Sequence, residues 1–374
     1  MADTAVAPPP TEHRKNSASN PLWEALVKNQ GIVVPLVALA LAFAVGAVLI
    51  RAQGVDPSYA YQSLFKGALF TSAGLLRTLQ KATPLILTGL AVSVAFRVGL
   101  FNIGAQGQLL CGAIGTAWVG YTLRGLPGVI LIPLAAAVGI LLGAMWASIA
   151  AFLKTSRGVH EVISTIMLNS IAVGIIDYLV TFPLKEANQS IPRTPPIGDN
   201  ANLPNFGFVP AGFILALILS VVTAWMLKRT TTGFQFDTVG KNKHAAGYAG
   251  INIAGITISA MALSGALAGL AGVVETLGVV HRYESGFNAG LGFDGITIAL
   301  LARANPVGTI PAALLVGILR SGAGDLQFDT GIQPEIVDLL LAITLLLVSI
   351  PLLAKIIFRK RAANQAGLSS GWGS

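Results

Sequence analysis

Charge is what this chain most lacks. Of its 374 residues only 11% are Asp, Glu, Lys or Arg, against about 25% in an ordinary soluble domain. Hydrophobic residues make up 54%, and the mean hydropathy is +0.73. Folded as two or three soluble domains, the chain has too few charges to cover their surfaces, so it reads as a polytopic membrane protein. Cysteine is scarce too: Cys111 stands alone, which excludes an internal disulfide framework. The four histidines are scattered and suggest no metal cluster. Nor is there a glycine-rich loop ending in Gly-Lys-Ser/Thr to cradle nucleotide phosphates. Gly240-Lys241 is followed by Asn242 and has no upstream glycine at the required spacing. The chain alone therefore does not hydrolyse ATP by that route. Residues 1–20 are polar and rich in Pro and Ala, without an apolar core or a small-residue cleavage site, and read as a cytoplasmic tail rather than a signal peptide.

Long apolar runs are what it has. A spanning helix needs about 20 mostly apolar residues, and the candidates are 32–50, 82–96, 108–122, 129–153, 162–182, 208–227, 253–280, 296–302, 309–320 and 334–353. The pair 296–302 and 309–320 is too short for straight spans and reads as two half-helices. Between the first two runs, residues 56–81 carry Lys66, Arg77 and Lys81 among apolar side chains, which predicts an amphipathic helix lying in the interface. The expected architecture is all-α, with about ten membrane-entering segments. With the N-terminus inside, 15 of the 24 Lys and Arg fall on the inner side, and an even number of spans returns the C-terminus to the cytoplasm. Most of the net charge of +8 is then topology and calls for no nucleic acid. The expected organisation is a cytoplasmic tail (1–30), a transmembrane domain (31–358) and a second cytoplasmic tail (359–374). Its longest outer loop is 183–210, with five prolines between Ile191 and Pro210, either a docking surface or a plain connector.

Three polar features interrupt the apolar background. In Arg97-Val98-Gly99-Leu100-Phe101-Asn102-Ile103-Gly104-Ala105-Gln106-Gly107-Gln108, glycines and amides break a helix. Unpaired backbone groups cost several kcal/mol in hydrocarbon, so such breaks survive only along a wet path or under protein cover. Arg303-Ala304-Asn305-Pro306-Val307-Gly308 repeats the device. Paired breaks in two halves of a transporter point to its substrate path, so Asn102, Gln106, Gln108 and Asn305 are expected to face a shared polar cavity. An ordinary turn with an Arg anchor is the competing reading. Glu275 and Asp177 are ionisable residues inside spans; they either line the path or form structural pairs. Third, the inner loop 228–251 holds Gly240, Asn242, Ala245, Ala246, Gly247, Ala249 and Gly250. A helix that short is unstable alone in water and small-faced enough to enter a groove on a partner; a solvated basic loop is the alternative.

Together, Phe101 to Gln108, the run Gly158-Val159-His160-Glu161-Val162-Ile163-Ser164-Thr165-Ile166-Met167-Leu168-Asn169, and the loop from Gly240 to Ile251 resemble the permeases of ATP-binding-cassette importers. The branch is that of nucleosides and simple sugars, related to ribose and branched-chain amino acid permeases, and the likeness runs from Leu75 to Leu353. The pattern usually has Glu at Gln106, and a Leu-Arg pair where this chain has Phe236-Asp237. The resemblance implies a ten-helix fold of the vitamin-B12-importer (type II) class and a site in the plasma membrane. It implies a second related permease or a second copy, ATP-binding subunits holding ATP and magnesium, and a substrate-binding lipoprotein. It also implies that Gly240 to Ile251 is the coupling helix seated on the ATPase. A secondary transporter or channel for a small polar solute is the main alternative; a membrane enzyme lacks any convergent catalytic set.

Overall fold

The structure, a computed structural model, describes residues 30–287 and 290–349. The expected tails fall outside these, apart from Gln30. The helices are α1 (Gln30–Ala52), α2 (Pro57–Leu69), α3 (Ser72–Arg97), α4 (Ala105–Thr122), α5 (Gly128–Arg157), α6 (Glu161–Thr181), α7 (Ala211–Arg229), α8 (Thr231–Lys241), α9 (Lys243–Tyr248), α10 (Ile253–Glu275), α11 (Leu291–Leu301), α12 (Thr309–Thr330) and α13 (Glu335–Ser349). One turn of π-helix, Thr276–Val280, extends α10. Between α6 and α7 lie a 3₁₀ turn and the hairpin β1 (Asn205–Phe206) and β2 (Val209–Pro210), with Asn205 opposite Pro210.

Among the described residues five helices are long and apolar enough to cross a membrane: α3, α5, α6, α7, and α10 with its π turn. Taking α1 and α2 as one span bent by 116° makes six. The other segments of the ten expected enter the bundle differently. Nearly all of α4 is wrapped by neighbouring helices, α11 has 11 residues, and α12 carries charges along its second half.

Two expectations are corrected. Residues 56–81 are not one interfacial helix. The first part is α2, started by Asp56, whose carboxylate accepts from the Ser58 amide at 3.0 Å, with Pro57 at the first helical position. A new helix starts at Thr71, whose hydroxyl accepts from the Gly74 amide at 2.9 Å, and it runs on through the next apolar segment as the 26-residue α3. Lys66 sits in the last turn of α2, where a cation meets the negative end of the helix dipole. Arg77 pairs with Asp325 of α12. Likewise 309–320 is no half-helix: α12 continues for 22 residues because its polar second half is partnered. Ser63 of α2 donates to the Asp329 carboxylate and, at 3.2 Å, to the Asp325 carbonyl. The break before α12 is as expected, and it leaves α11 short.

The core forms where α10 packs against α3, α4 and α5. Lipid tails are as apolar as leucine, so helices associate in a membrane by close van der Waals packing, which small residues allow. Here backbones touch. A Cβ on Gly112 of α4 would lie 2.3 Å from the Gly269 carbonyl oxygen of α10. One on Gly143 of α5 would lie 2.4 Å from the Gly265 carbonyl. Neither neighbour is a flexible side chain that could yield. Overpacking a tight core costs about 1–3 kcal/mol, and backbone neighbours put this site at the upper end. Gly269→Val is therefore expected to abolish monodisperse, heat-resistant protein in detergent. Gly174→Val, on a part of α6 with open space around it, is expected to leave the melting temperature within a degree or two.

Candidate functional site

Polar side chains gather in three places along the bundle. The first is the broken segment between α3 and α4. Asn102 is fully buried and uses every hydrogen-bonding position an amide has. Its Nδ2 donates to Gln108 Oε1 at 2.9 Å and to Ser264 Oγ at 2.8 Å. Its Oδ1 accepts from the Gly104 amide at 3.0 Å and from Gln108 Nε2 at 2.9 Å. Ser264 in turn donates to the Ala91 carbonyl at 2.6 Å. Asn169 of α6 donates to the Ile103 carbonyl and accepts from the Gly107 amide, both at 2.8 Å. Gln106, also buried, accepts from the Gly292 amide at 2.7 Å. These amides are backbone partners for a helix break, and they tie α3, α4, α6, α10 and α11 together.

Among the described residues the amides of the two breaks are not brought together. Asn102 and Gln108 meet each other, Gln106 faces Gly292, and Asn305 lies apart on an exposed turn. There its Oδ1 accepts from the Val307 amide at 3.2 Å, beside Arg303 and Ala304, both at φ 53. A pore-lining amide has spare hydrogen-bonding capacity for solute; Asn102 has none.

The second place is a cleft of ≈ 380 Å³ at the end of the bundle that carries residues 183–210. Arg77, Gln80 and Lys81 of α3 line it, with Glu275 and Val279 from the end of α10 and Arg320, Ser321, Gly324 and Asp325 of α12. Arg77 Nη2 lies 2.9 Å from Asp325 Oδ2. Arg320 Nη2 lies 2.8 Å from Asp294 Oδ2 of α11 and 3.3 Å from Asp338 Oδ1 of α13. Glu275 lines this cleft and Asp177 does not. Asp177 accepts from Ser285 Oγ at 3.1 Å and belongs to the cap beside the cleft. There the 183–210 loop is stitched down by Thr194 N to the Tyr283 carbonyl at 2.8 Å, Ile197 N to the His281 carbonyl at 3.0 Å, and Arg282 Nη1 to Glu186 Oε2 at 3.5 Å. Burial, with Asp177 nearby, pushes the Tyr283 phenol up, so it stays neutral. The other cleft residues were missed in the sequence because Arg77 and Lys81 read as an interfacial face. The spacing of four between Arg77 and Lys81, with charged residues also on the second half of α12, is the signal that finds them.

The third place is the opposite end. Arg97, in the last turn of α3, lies 3.2 Å through Nη1 from Asp237 Oδ1 of α8. Gly240 sits so close that a Cβ there would be 2.0 Å from the Arg97 carbonyl. Phe236 and Val239 are buried against the bundle. Asn242 caps α9, its Oδ1 accepting from the Ala245 amide at 3.0 Å. Within α9 the expected uniform small face divides. Ala246 is fully buried and turns inward to its own chain, whereas Ala245, Gly247, Ala249 and Gly250 are exposed. Tyr248, not singled out in the sequence, projects from the same tip and is 96% exposed.

No group of three or more His, Cys, Asp or Glu among the described residues could hold a metal ion. A polar-latched bundle in which five or six of the described helices are long and apolar enough to cross a membrane is the architecture of a polytopic membrane protein. Residues 74–349 match the family described as branched-chain amino acid transport system / permease component, and the chain belongs to it. The guanosine ABC transporter permease protein NupP of Bacillus subtilis is 37% identical over 327 residues, covering 85% of this chain and 93% of that one. The nucleoside ABC transporter permease protein NupB of Lactococcus lactis is 34% identical over 351 residues, covering 91% and 96%. The glucose ABC transporter permease protein TsgB13 of Haloferax volcanii is 35% identical over 325 residues, covering 83% and 85%. B. subtilis and L. lactis each also have a second matching permease, NupQ and NupC, both at 26% identity. Membership sets aside the secondary-transporter, channel and enzyme readings, and it accounts for the missing nucleotide loop, since ATP is hydrolysed by separate subunits.

Because the Asn102 latch is saturated, removing it leaves the Gln108 side-chain amide and the Gly104 N–H buried without that partner, at about 1–3 kcal/mol for an unsatisfied group. Asn102→Leu is expected to lower the melting temperature of the purified protein, with uptake falling only in step with the amount folded. An unchanged melting point with lost uptake would return Asn102 to the solute path.

Proposed function

We propose that this chain is the path-forming subunit of an importer that carries nucleosides, or a related simple sugar, across a plasma membrane. A substrate-binding lipoprotein delivers the solute, and a second permease, related or identical, completes the path. The second matching permease in each of two relatives' organisms favours a related partner. Both termini and the α8–α9 segment face the cytoplasm, and residues 183–210 face out, in keeping with the distribution of Lys and Arg. The solute passes along the cleft between α3, α10 and α12. Coupling is the task of residues 228–251, with α9 seated in a groove of the ATP-binding subunit, which holds ATP and magnesium.

The observation that carries the reading, beside family membership, is α9 itself. It is a six-residue helix, capped, held at Ala246, and offering small side chains around one exposed tyrosine. The roles divide accordingly. Ala246 anchors the helix to its own bundle, while Ala245, Gly247, Ala249 and Gly250 allow close approach and Tyr248 fills a pocket. Buried tyrosines are typical interface hot spots, costing about 2 kcal/mol or more on truncation, which is roughly thirtyfold in affinity. Since Tyr248 supports nothing in its own chain, Tyr248→Ala is expected to leave folding intact. In the reconstituted complex it is expected to cut solute-stimulated ATP hydrolysis and uptake at least tenfold. A His244→Cys variant is expected to react with an impermeant thiol reagent from the cytoplasmic side only. Normal coupling in Tyr248→Ala, or labelling of His244→Cys from outside, would overturn the assignment.

A further inference from the structure

The cleft between α3, α10 and α12 carries more chemistry than its ion pairs use. Arg77 is engaged by Asp325, and Arg320 by Asp294 and Asp338. Gln80 and Lys81, both half-buried and both lining the cleft, make no hydrogen bond or ion pair among the described residues. On an otherwise apolar helix, two long polar side chains without protein partners are costly unless water or a solute meets them. They stand ready for a ligand.

The composition of the lining says which part of a solute it fits. None of its nine residues is aromatic, whereas a nucleobase is bound by stacking on rings and apolar planes. A hydroxyl both donates and accepts, so a ring of adjacent hydroxyls needs donors and acceptors side by side. Gln80 supplies both, Lys81 donates, and the Asp325 carboxylate accepts. Most of the charge at the lining is already paired, Arg77 with Asp325 and Arg320 with Asp294 and Asp338, so the cleft offers a solute hydrogen-bonding groups more than net charge. We infer that this cleft reads the sugar ring of a neutral solute through its hydroxyls, with Gln80 and Lys81 as the contacting groups, and is indifferent to the base the ring carries. The inference rests on the reading that the solute passes along this cleft.

The test uses the whole importer in proteoliposomes, with its binding protein, as wild type, Gln80→Leu and Lys81→Met. Initial uptake is measured for adenosine and uridine and for their 2′-deoxy and 3′-deoxy counterparts. Dividing each variant by wild type cancels the preference of the binding protein. Loss of one hydroxyl contact corresponds to roughly two- to tenfold. Gln80→Leu is expected to slow adenosine and uridine by the same factor, about fivefold, and to slow one of the deoxy counterparts by less than about twofold. A factor that differs between purine and pyrimidine but not between hydroxyl and deoxy forms would overturn the inference. Unchanged uptake of every solute in both variants would place the cleft off the path and overturn the path reading with it. A wild-type complex that takes up no nucleoside would fail the nucleoside reading alone. The same variants are then scored on glucose against its deoxy analogues, and an undiminished hydroxyl preference there would overturn the inference.

Discussion

The contact on which this bundle depends is that of backbone on backbone, glycine to glycine, where α10 meets α4 and α5. Inside a bilayer there is no hydrophobic force to press one apolar helix against another; shape is what remains. Gly112, Gly143, Gly265 and Gly269 remove side chains at the crossing, and their carbonyls approach to distances no Cβ would tolerate. That closeness brings Ser264 of α10 within reach of Asn102 and of the Ala91 carbonyl in α3. The polar latch is thus a consequence of the glycines. Only with α10 drawn in this tightly can a broken helix be covered by protein and its backbone partnered.

With the break satisfied internally, α3 is free to serve as a continuous axis. It is the most enclosed of the long apolar helices, 78% of its apolar window being buried, whereas α5 and α6 bury 22% and 33% of theirs. At 1.5 Å per residue its 26 residues span about 39 Å, the depth of a bilayer with its interfaces. At one end it supplies Arg77, Gln80 and Lys81 to the cleft. At the other, Arg97 holds Asp237, and Gly240 presses on its last carbonyl. The segment assigned to the ATPase and the cleft assigned to the solute are therefore two ends of one helix.

Much of this was legible in the sequence, and what was not has physical reasons. The cores of α3, α5, α6, α7 and α10 stand out because each is a long run facing lipid or other apolar helices. The short helix α9 stands out because small residues cluster between Gly240 and Gly250. Charges misled where tertiary structure uses them. Lys66, Arg77 and Lys81 looked like an interfacial stripe, yet Lys66 ends α2, Arg77 pairs with Asp325 and Lys81 lines the cleft; Arg320 looked like a helix end. The partners of Arg77 and Arg320 sit more than 200 residues away or on a helix whose position sequence does not give. The amides misled for a related reason. A buried asparagine that closes a helix break and one that lines a pore are the same letter, and only the four bonds around Asn102 tell them apart. The division of α9 into an inward Ala246 and an outward Tyr248 likewise depends on which face the bundle takes.

The central claim is that α3 links the ATPase-facing segment to the cleft, and the Arg97–Asp237 pair is where it is most exposed to test. Both side chains are about 30% exposed, at 32% and 28%, and partly exposed pairs contribute little to stability. Breaking this one should therefore spare folding and touch coupling. The most direct measurement is solute-stimulated ATP hydrolysis in the reconstituted importer for Arg97→Asp, Asp237→Arg and the double exchange. The account predicts that each single variant folds and assembles but loses stimulation, and that the double exchange recovers most of it. Full stimulation in both single variants, or no recovery in a double exchange that assembles normally, would contradict it.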